Sequence, residues 1–136
     1  MKSPVKVYLI DTNVILRYLL EDHEIYSPKA KAFMLQVSHG KKKVEISAVV
    51  IVECIYVLEK FYLVPRNEIV DSISRILNFS GIMITNRSEI LEALLKYEAS
   101  NADIVDCILA AQSSAEKPVI SFDKDLEKLK AITEAL

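Results

Sequence analysis

The residues of this chain best suited to chemistry are acids standing where an acid is hard to justify structurally: Asp11, Glu53, Asp103, Asp106, Asp123 and Asp125. Asp11 closes the apolar run VKVYLI, and Glu53 interrupts AVVIVECIYVL. Asp103 and Asp106 lie three apart in ADIVDCILAA, and Asp123 and Asp125 follow VISF. Carboxylates that share a cleft raise one another's pKa unless a cation neutralises them. Oxygen donors without histidine or thiolate favour Mg2+ or Mn2+, ions that keep several waters and engage phosphate. Such ions activate water for attack on phosphorus and stabilise the leaving oxygen.

Each acid also has a structural reading. Asp11 suits the N-cap of a helix beginning near Asn13 about as well as it suits a site. Glu53 is flanked at helical spacing by Val49, Val50, Cys54 and Val57, which places it at the edge of a buried face. Left unpaired there, its charge would cost about 3–5 kcal/mol, and Lys60, two turns on, is a poor partner compared with a metal. Asp103 fits the first turn of a helix, where the dipole favours acids. Asp106 sits deeper in the apolar run and is the stronger ligand candidate of the two. For Asp123 and Asp125, capping and catalysis explain either acid equally well.

The elements that must position these acids alternate between short apolar runs and longer helical ones. Strands are expected over 5–10, 44–47, 82–85 and 119–121, the first and last of them buried. Helices are expected over 13–20, from Ser27-Pro28 to 37, and over 48–61, 66–79, 87–99 and 103–115, with a terminal helix from Lys124. Ser27 reads as an N-cap with Pro28 at the first helical position, and Ser47 as the cap of the helix after it. Ile69, Ile73, Ile76 and Leu77 share one helical face. This alternation implies an α/β domain with a mainly parallel sheet and helices on both faces. Ligands of such sheets bind beyond the carboxyl ends of strands, which is where Asp11 and Asp123 fall.

Length and composition fit one compact domain spanning 1–136. Apolar residues make up 51% and charged residues 26%, with only 2 Gly and 4 Pro, which excludes a disordered or linker-rich chain. The net charge of -2 is neutral on nucleic acid, because acids gathered for metals offset basic residues elsewhere. Arg17, Lys41, Lys42, Lys43, Arg87, Lys124 and Lys128 are candidates for a basic rim, each read first as a solvated charge and the run at 41–43 first as a turn. Cys54 and Cys107 lie in apolar stretches and read as reduced, buried thiols. With no CxxC pair, and with His23 and His39 in polar segments, zinc is not expected. No apolar run reaches about 18 residues, and Pro4 and Lys6 interrupt the start where a signal peptide is apolar, so a cytoplasmic protein off the membrane is expected.

Taken together, VYLIDTNVIL, ISAVVIVECIYVL, ADIVDCILAA and VISFDKDLEKL, in this order and at these separations, resemble the PIN-domain nucleases, and within them the VapC-type toxins of toxin–antitoxin pairs. The resemblance spans essentially the whole chain. It implies a three-layer α/β/α sandwich around a mainly parallel sheet. By resemblance, Asp11, Glu53, Asp106 and Asp123 match the acidic metal-binding quartet, with Asp103 an additional acid one helical turn earlier. Thr12, Asn13 and Ser121 match polar positions that support the quartet. Implied too are endoribonuclease activity with Mg2+ or Mn2+, an RNA substrate, a homodimer, and a cognate antitoxin whose tail covers the cleft, often with an arginine near the acids. Cys107 departs from the alanine usual at its position. Tyr56, Phe61 and Tyr62 are able to pack a partner, although each by itself reads first as an ordinary core or surface aromatic.

Other readings compete. A haloacid-dehalogenase-like phosphatase needs a second aspartate where Asn13 stands, and a receiver domain needs acids just before its phosphorylated aspartate. A PIN-like module that binds RNA without cutting it is opposed by the intact quartet. A PIN nuclease of rRNA maturation is the main rival to a toxin; the short chain without an appended zinc ribbon favours the toxin.

Overall fold

A computed structural model describes residues 5–136. Residues 1–4, which include the Pro4 used above against a signal peptide and the start of the expected 1–136 domain, lie outside the described residues. The chain divides into two units, the first ending at Thr85 and the second running from Asn86 to Leu136.

In the first unit three short strands, β1 (Val7–Leu9), β2 (Lys43–Glu45) and β3 (Ile82–Met83), form a parallel sheet in the order β1-β2-β3. Parallel neighbours need crossover connections, and helices supply them. These are α1 (Thr12–Leu20), α2 (Tyr26–Ser38), α3 (Ala48–Lys60) and α4 (Arg66–Leu77). Strand side chains alternate between faces. Ile10, Val44, Ile46 and Ile82 are buried, joined by Ile15, Met34, Val37, Ile55 and the Ile69, Ile73, Ile76, Leu77 face of α4. The opposite parity carries Val7, Leu9, Lys43, Glu45 and Met83, all exposed. β1 is therefore not the buried strand expected from its composition: Leu9 is 82% exposed. It is an edge strand in this sheet, and only its Tyr8–Ile10 face meets the core.

A second difference concerns the start of α2. Ser27 lies inside the helix, buried, and its hydroxyl accepts the His23 N–H at 3.1 Å. His23 replaces it at the terminus: Nδ1 accepts the N–H groups of Ile25 and Tyr26 at 3.2 and 2.9 Å, and its ring stacks on Tyr26. The imidazole satisfies donors at the start of α2, which therefore begins before Ser27 and needs no serine cap. Ser47 does cap α3, its hydroxyl accepting the Val49 N–H at 3.2 Å.

In the second unit α5 (Arg87–Glu98) packs on α6 (Ile104–Gln112), burying Ile90, Leu94, Tyr97, Cys107 and Ala110. β4 (Val119–Ile120) follows, then α7 (Asp125–Lys128) and β5 (Thr133–Glu134), a strand the sequence pattern did not reveal. β4 and β5 pair in parallel, Val119 with Thr133. Ile120 is 50% exposed, so β4, like β1, is less buried than its composition suggests. Lys96 Nζ donates to the Leu129 carbonyl at 2.7 Å, tying α5 to the end of α7. The class is α/β with parallel strands throughout. Among the described residues no helix is long and apolar enough to cross a membrane.

Candidate active site

In the first unit the chain leaves β1 and turns into α1 at Asp11, whose extended backbone makes it the N-cap. Its carboxylate accepts the Asn13 N–H at 3.4 Å, a long contact, and remains exposed. A carboxylate has about four acceptor positions, so one weak capping bond leaves most of it open to another ligand. Thr12, by contrast, is buried, and its carbonyl faces the Cys54 thiol at 4.0 Å. Asn13 is exposed and contributes its backbone N–H.

Glu53 corrects an expectation. It is exposed, on a face of α3 shared with Val49 and Tyr56, which are 72% and 60% exposed. The buried stripe of α3 is Ile51, Cys54, Ile55 and Leu58. The desolvation cost inferred from its apolar neighbours therefore does not arise: Cys54 points into the core, while Glu53 itself projects into solvent beside Val49. Glu53 and Asp11 do flank one group. Burial pushes the Cys54 thiol up to about 12; the Glu53 charge adds to this, the Thr12 carbonyl opposes it, and Asp11 adds a smaller push.

A cleft of about 510 Å³ opens beside Asp11, walled by Leu9, Val14, Tyr26 and Phe33, with Arg17 and Lys29 on its lining. Arg17 is held there by Tyr62 at 3.2 Å and Asp22 at 2.8 Å. Its guanidinium is raised above its ordinary pKa chiefly by the Tyr62 hydroxyl, so it is a fixed cation on the same cleft as Asp11. Its type marked Arg17 only as one basic residue among several; the contacts that fix it are tertiary.

In the second unit Asp103 is the N-cap of α6 by backbone position, but its side chain makes no capping hydrogen bond. The exposed carboxylate stands at the start of α6, where the helix dipole favours an acid, and is not used as a hydrogen-bonding cap. Asp106, in the first turn, is half-buried. Burial pushes its carboxyl above the usual range, and the charges of Asp103, Asp123 and Asp125 push it further. After β4, Ser121 Oγ accepts the Asp123 N–H at 2.9 Å, and the Asp123 carboxylate accepts the Asp125 N–H at 2.8 Å. Ser121 thereby sets the turn that carries Asp123. The Asp125 carboxylate pairs with Lys128 at 3.1 Å. Asp125 belongs to the field around Asp106 even though the chosen set omits it; its place two residues after Asp123 was the signal available.

In each unit the candidate donors are carboxylate oxygens, a type that suits a hard divalent cation. His23 is committed to the start of α2, and both cysteines are buried. Among the described residues no three His, Cys, Asp or Glu side chains stand grouped as a ready-made metal site.

The sequence is 28% identical over 123 residues to a VapC ribonuclease of Aquifex aeolicus (strain VF5), an alignment covering 89% of this chain and 90% of that relative. The pattern of the PIN domain matches residues 8–132, from Tyr8 beside the first acid to Ile132 beyond the last. With nearly the whole sequence matched, and an α/β fold of parallel strands, this chain belongs to the PIN-domain family.

Proposed function

We propose that the chain is a metal-dependent endoribonuclease acting as one PIN domain, and that it is the toxin of a toxin–antitoxin pair. The observation that carries this reading is Asp106, a half-buried carboxylate in the field of Asp103, Asp123 and Asp125, in a chain of the PIN family. A cluster whose own charges oppose ionisation of its central member is poised to take a cation. Likeness to a VapC ribonuclease supports RNA as the substrate.

In this reading Asp11, Glu53, Asp106 and Asp123 hold Mg2+ or Mn2+, with Asp103 assisting. A bound divalent ion neutralises phosphate charge and makes water a better nucleophile. The residues of the chain orient and hold. Ser121 fixes the backbone of Asp123, the Asn13 N–H steadies Asp11, and buried Thr12 anchors the start of α1. No histidine is needed as a general acid. A homodimer, a cytoplasmic setting and a cognate antitoxin covering the acids belong to the same proposal.

The test is incubation of purified protein with total cellular RNA in Mg2+, Mn2+ or EDTA, alongside Asp106→Asn and Asp11→Asn. Cutting that needs metal and is lost in both variants is the expected result. Cutting that survives EDTA, or both substitutions, would overturn the assignment. For the toxin role, expression should arrest growth, and the product of a small neighbouring gene should relieve it.

A further inference from the structure

We infer that a lysine cluster at the end of the first unit's sheet remote from Asp11 anchors the phosphate backbone of the RNA substrate. Lys6, Lys41, Lys42 and Lys43 line one shallow depression of about 460 Å³ together with Tyr8 and Gly40. Lys6, Lys41 and Lys43 are exposed; Lys42 is half-buried, its ammonium 5.5 Å from the centre of the Tyr8 ring. Several cations elsewhere are matched with acids, as in Arg17–Asp22, Arg66–Glu59, Arg75–Asp71 and Lys128–Asp125. Among the described residues none of the four lysines of the depression stands in such a pair. Like charges crowded on one surface repel, and a polyanion relieves that repulsion while releasing its own counterions.

The cluster is also built rigidly. Gly40 turns the chain at φ +76°, and the N–H groups of Gly40, Lys41 and Gly81 donate to the carbonyls of Val37, Gln36 and Val37 at 3.0, 2.9 and 2.9 Å. A side chain on Gly81 would meet the Lys42 carbonyl at 2.1 Å, so the loop seats directly on the backbone at Gly81. Ammonium groups carried on a fixed turn lose less freedom on binding than those of a floppy loop. β1 runs from Lys6 toward Asp11, and at about 3.3 Å per residue the two lie about 17 Å apart. That exceeds the Debye length of about 8 Å at physiological salt, so these lysines act on flanking phosphates rather than on the one being cut.

The inference rests on the proposed RNA substrate, and its test is kept separate from cleavage. The full chain in EDTA is titrated against a fluorescein-labelled 20-nucleotide RNA hairpin over a range of salt. The variant Lys6→Gln/Lys41→Gln/Lys43→Gln keeps Lys42 on Tyr8; Lys117→Gln/Lys130→Gln is the control, and thermal melts establish that both fold. The expected result is a loss of about tenfold or more for the triple variant, with the log-affinity against log-salt slope falling by about 2, close to 0.7–0.9 per lost contact. The control leaves both unchanged. Equal affinity and slope in wild type and triple variant would overturn the anchor. So would loss of polyglutamate binding with RNA binding retained, which would assign the surface to an acidic polypeptide. Lysine-dependent binding by a protein that never cuts RNA would overturn the nuclease reading and leave the anchor standing. Cutting with lysine-independent binding does the reverse.

Discussion

Two helices carry an acid followed directly by a cysteine: Glu53-Cys54 on α3 and Asp106-Cys107 on α6. Both thiols are fully buried. Successive helical residues lie about 100° apart, so each cysteine fixes the core side and leaves the acid on the shoulder of that face. On α3 the shoulder is open, and Glu53 shares it with exposed Val49 and Tyr56. On α6 the shoulder faces other carboxylates, and Asp106 is half-buried among them. The same acid–cysteine pattern in similarly apolar sequence thus yields a solvated acid in one place and an electrostatically opposed one in the other. Apolar neighbours in sequence do not establish burial; what stands over the shoulder does.

The comparison can be broken most forcefully through the core itself. Ile55→Ala, on the buried stripe of α3, should destabilise by about 2–5 kcal/mol in urea unfolding. Val49→Ala on the exposed shoulder should stay within about 0.5 kcal/mol. Equal costs would mean that α3 has no solvent face.

Function should separate from stability at the acids. Asp106→Asn should lower RNA cleavage by more than about 100-fold, at least the loss typical of groups supporting a metal site. Its melting temperature should not fall, because the change removes a charge that three neighbouring carboxylates oppose. Glu53→Gln should also lose cleavage while keeping its stability within about 0.5 kcal/mol, since the side chain is exposed. A melting temperature several degrees lower in Asp106→Asn would mark that residue as structural.

The caps sharpen the contrast at smaller scale. Ser47→Ala removes the hydroxyl that accepts the Val49 N–H and should cost about 1 kcal/mol. Asp103→Ala removes no side-chain capping bond and relieves repulsion on Asp106, so it should cost less than Ser47→Ala in the same unfolding assay.

The smallest effect is an expected silence. Burial raises the Cys54 thiol to about 12, so it stays protonated at pH 8, and Cys107 is equally enclosed. Neither should react with a thiol reagent in the native protein at pH 8, and both should react in denaturant. Reaction of one thiol alone would reveal which helix opens first.

Much was legible without coordinates because it depends on neighbours in the chain. The alternation of strands and helices, the Ser47 cap, the buried face of α4 and the reduced thiols follow from periodicity and local hydrogen bonding, which act over a few residues. The acids at the strand ends were legible as well, since a strand's end is marked by the run before it. Local rules failed where two local solutions compete, as at α2, where His23 rather than Ser27 meets the first N–H groups.

The sequence by itself determined the α/β class, the oxygen-only character of the candidate ligands and membership of the PIN family. All of these are properties of residue type and order. Only the tertiary structure decided that Leu9 and Glu53 face solvent, that Arg17 is pinned by Asp22 and Tyr62, and that the Asp106 carboxyl is pushed upward. Burial and electrostatic potential are sums over atoms close in space, and a residue's sequence neighbours supply only part of either sum.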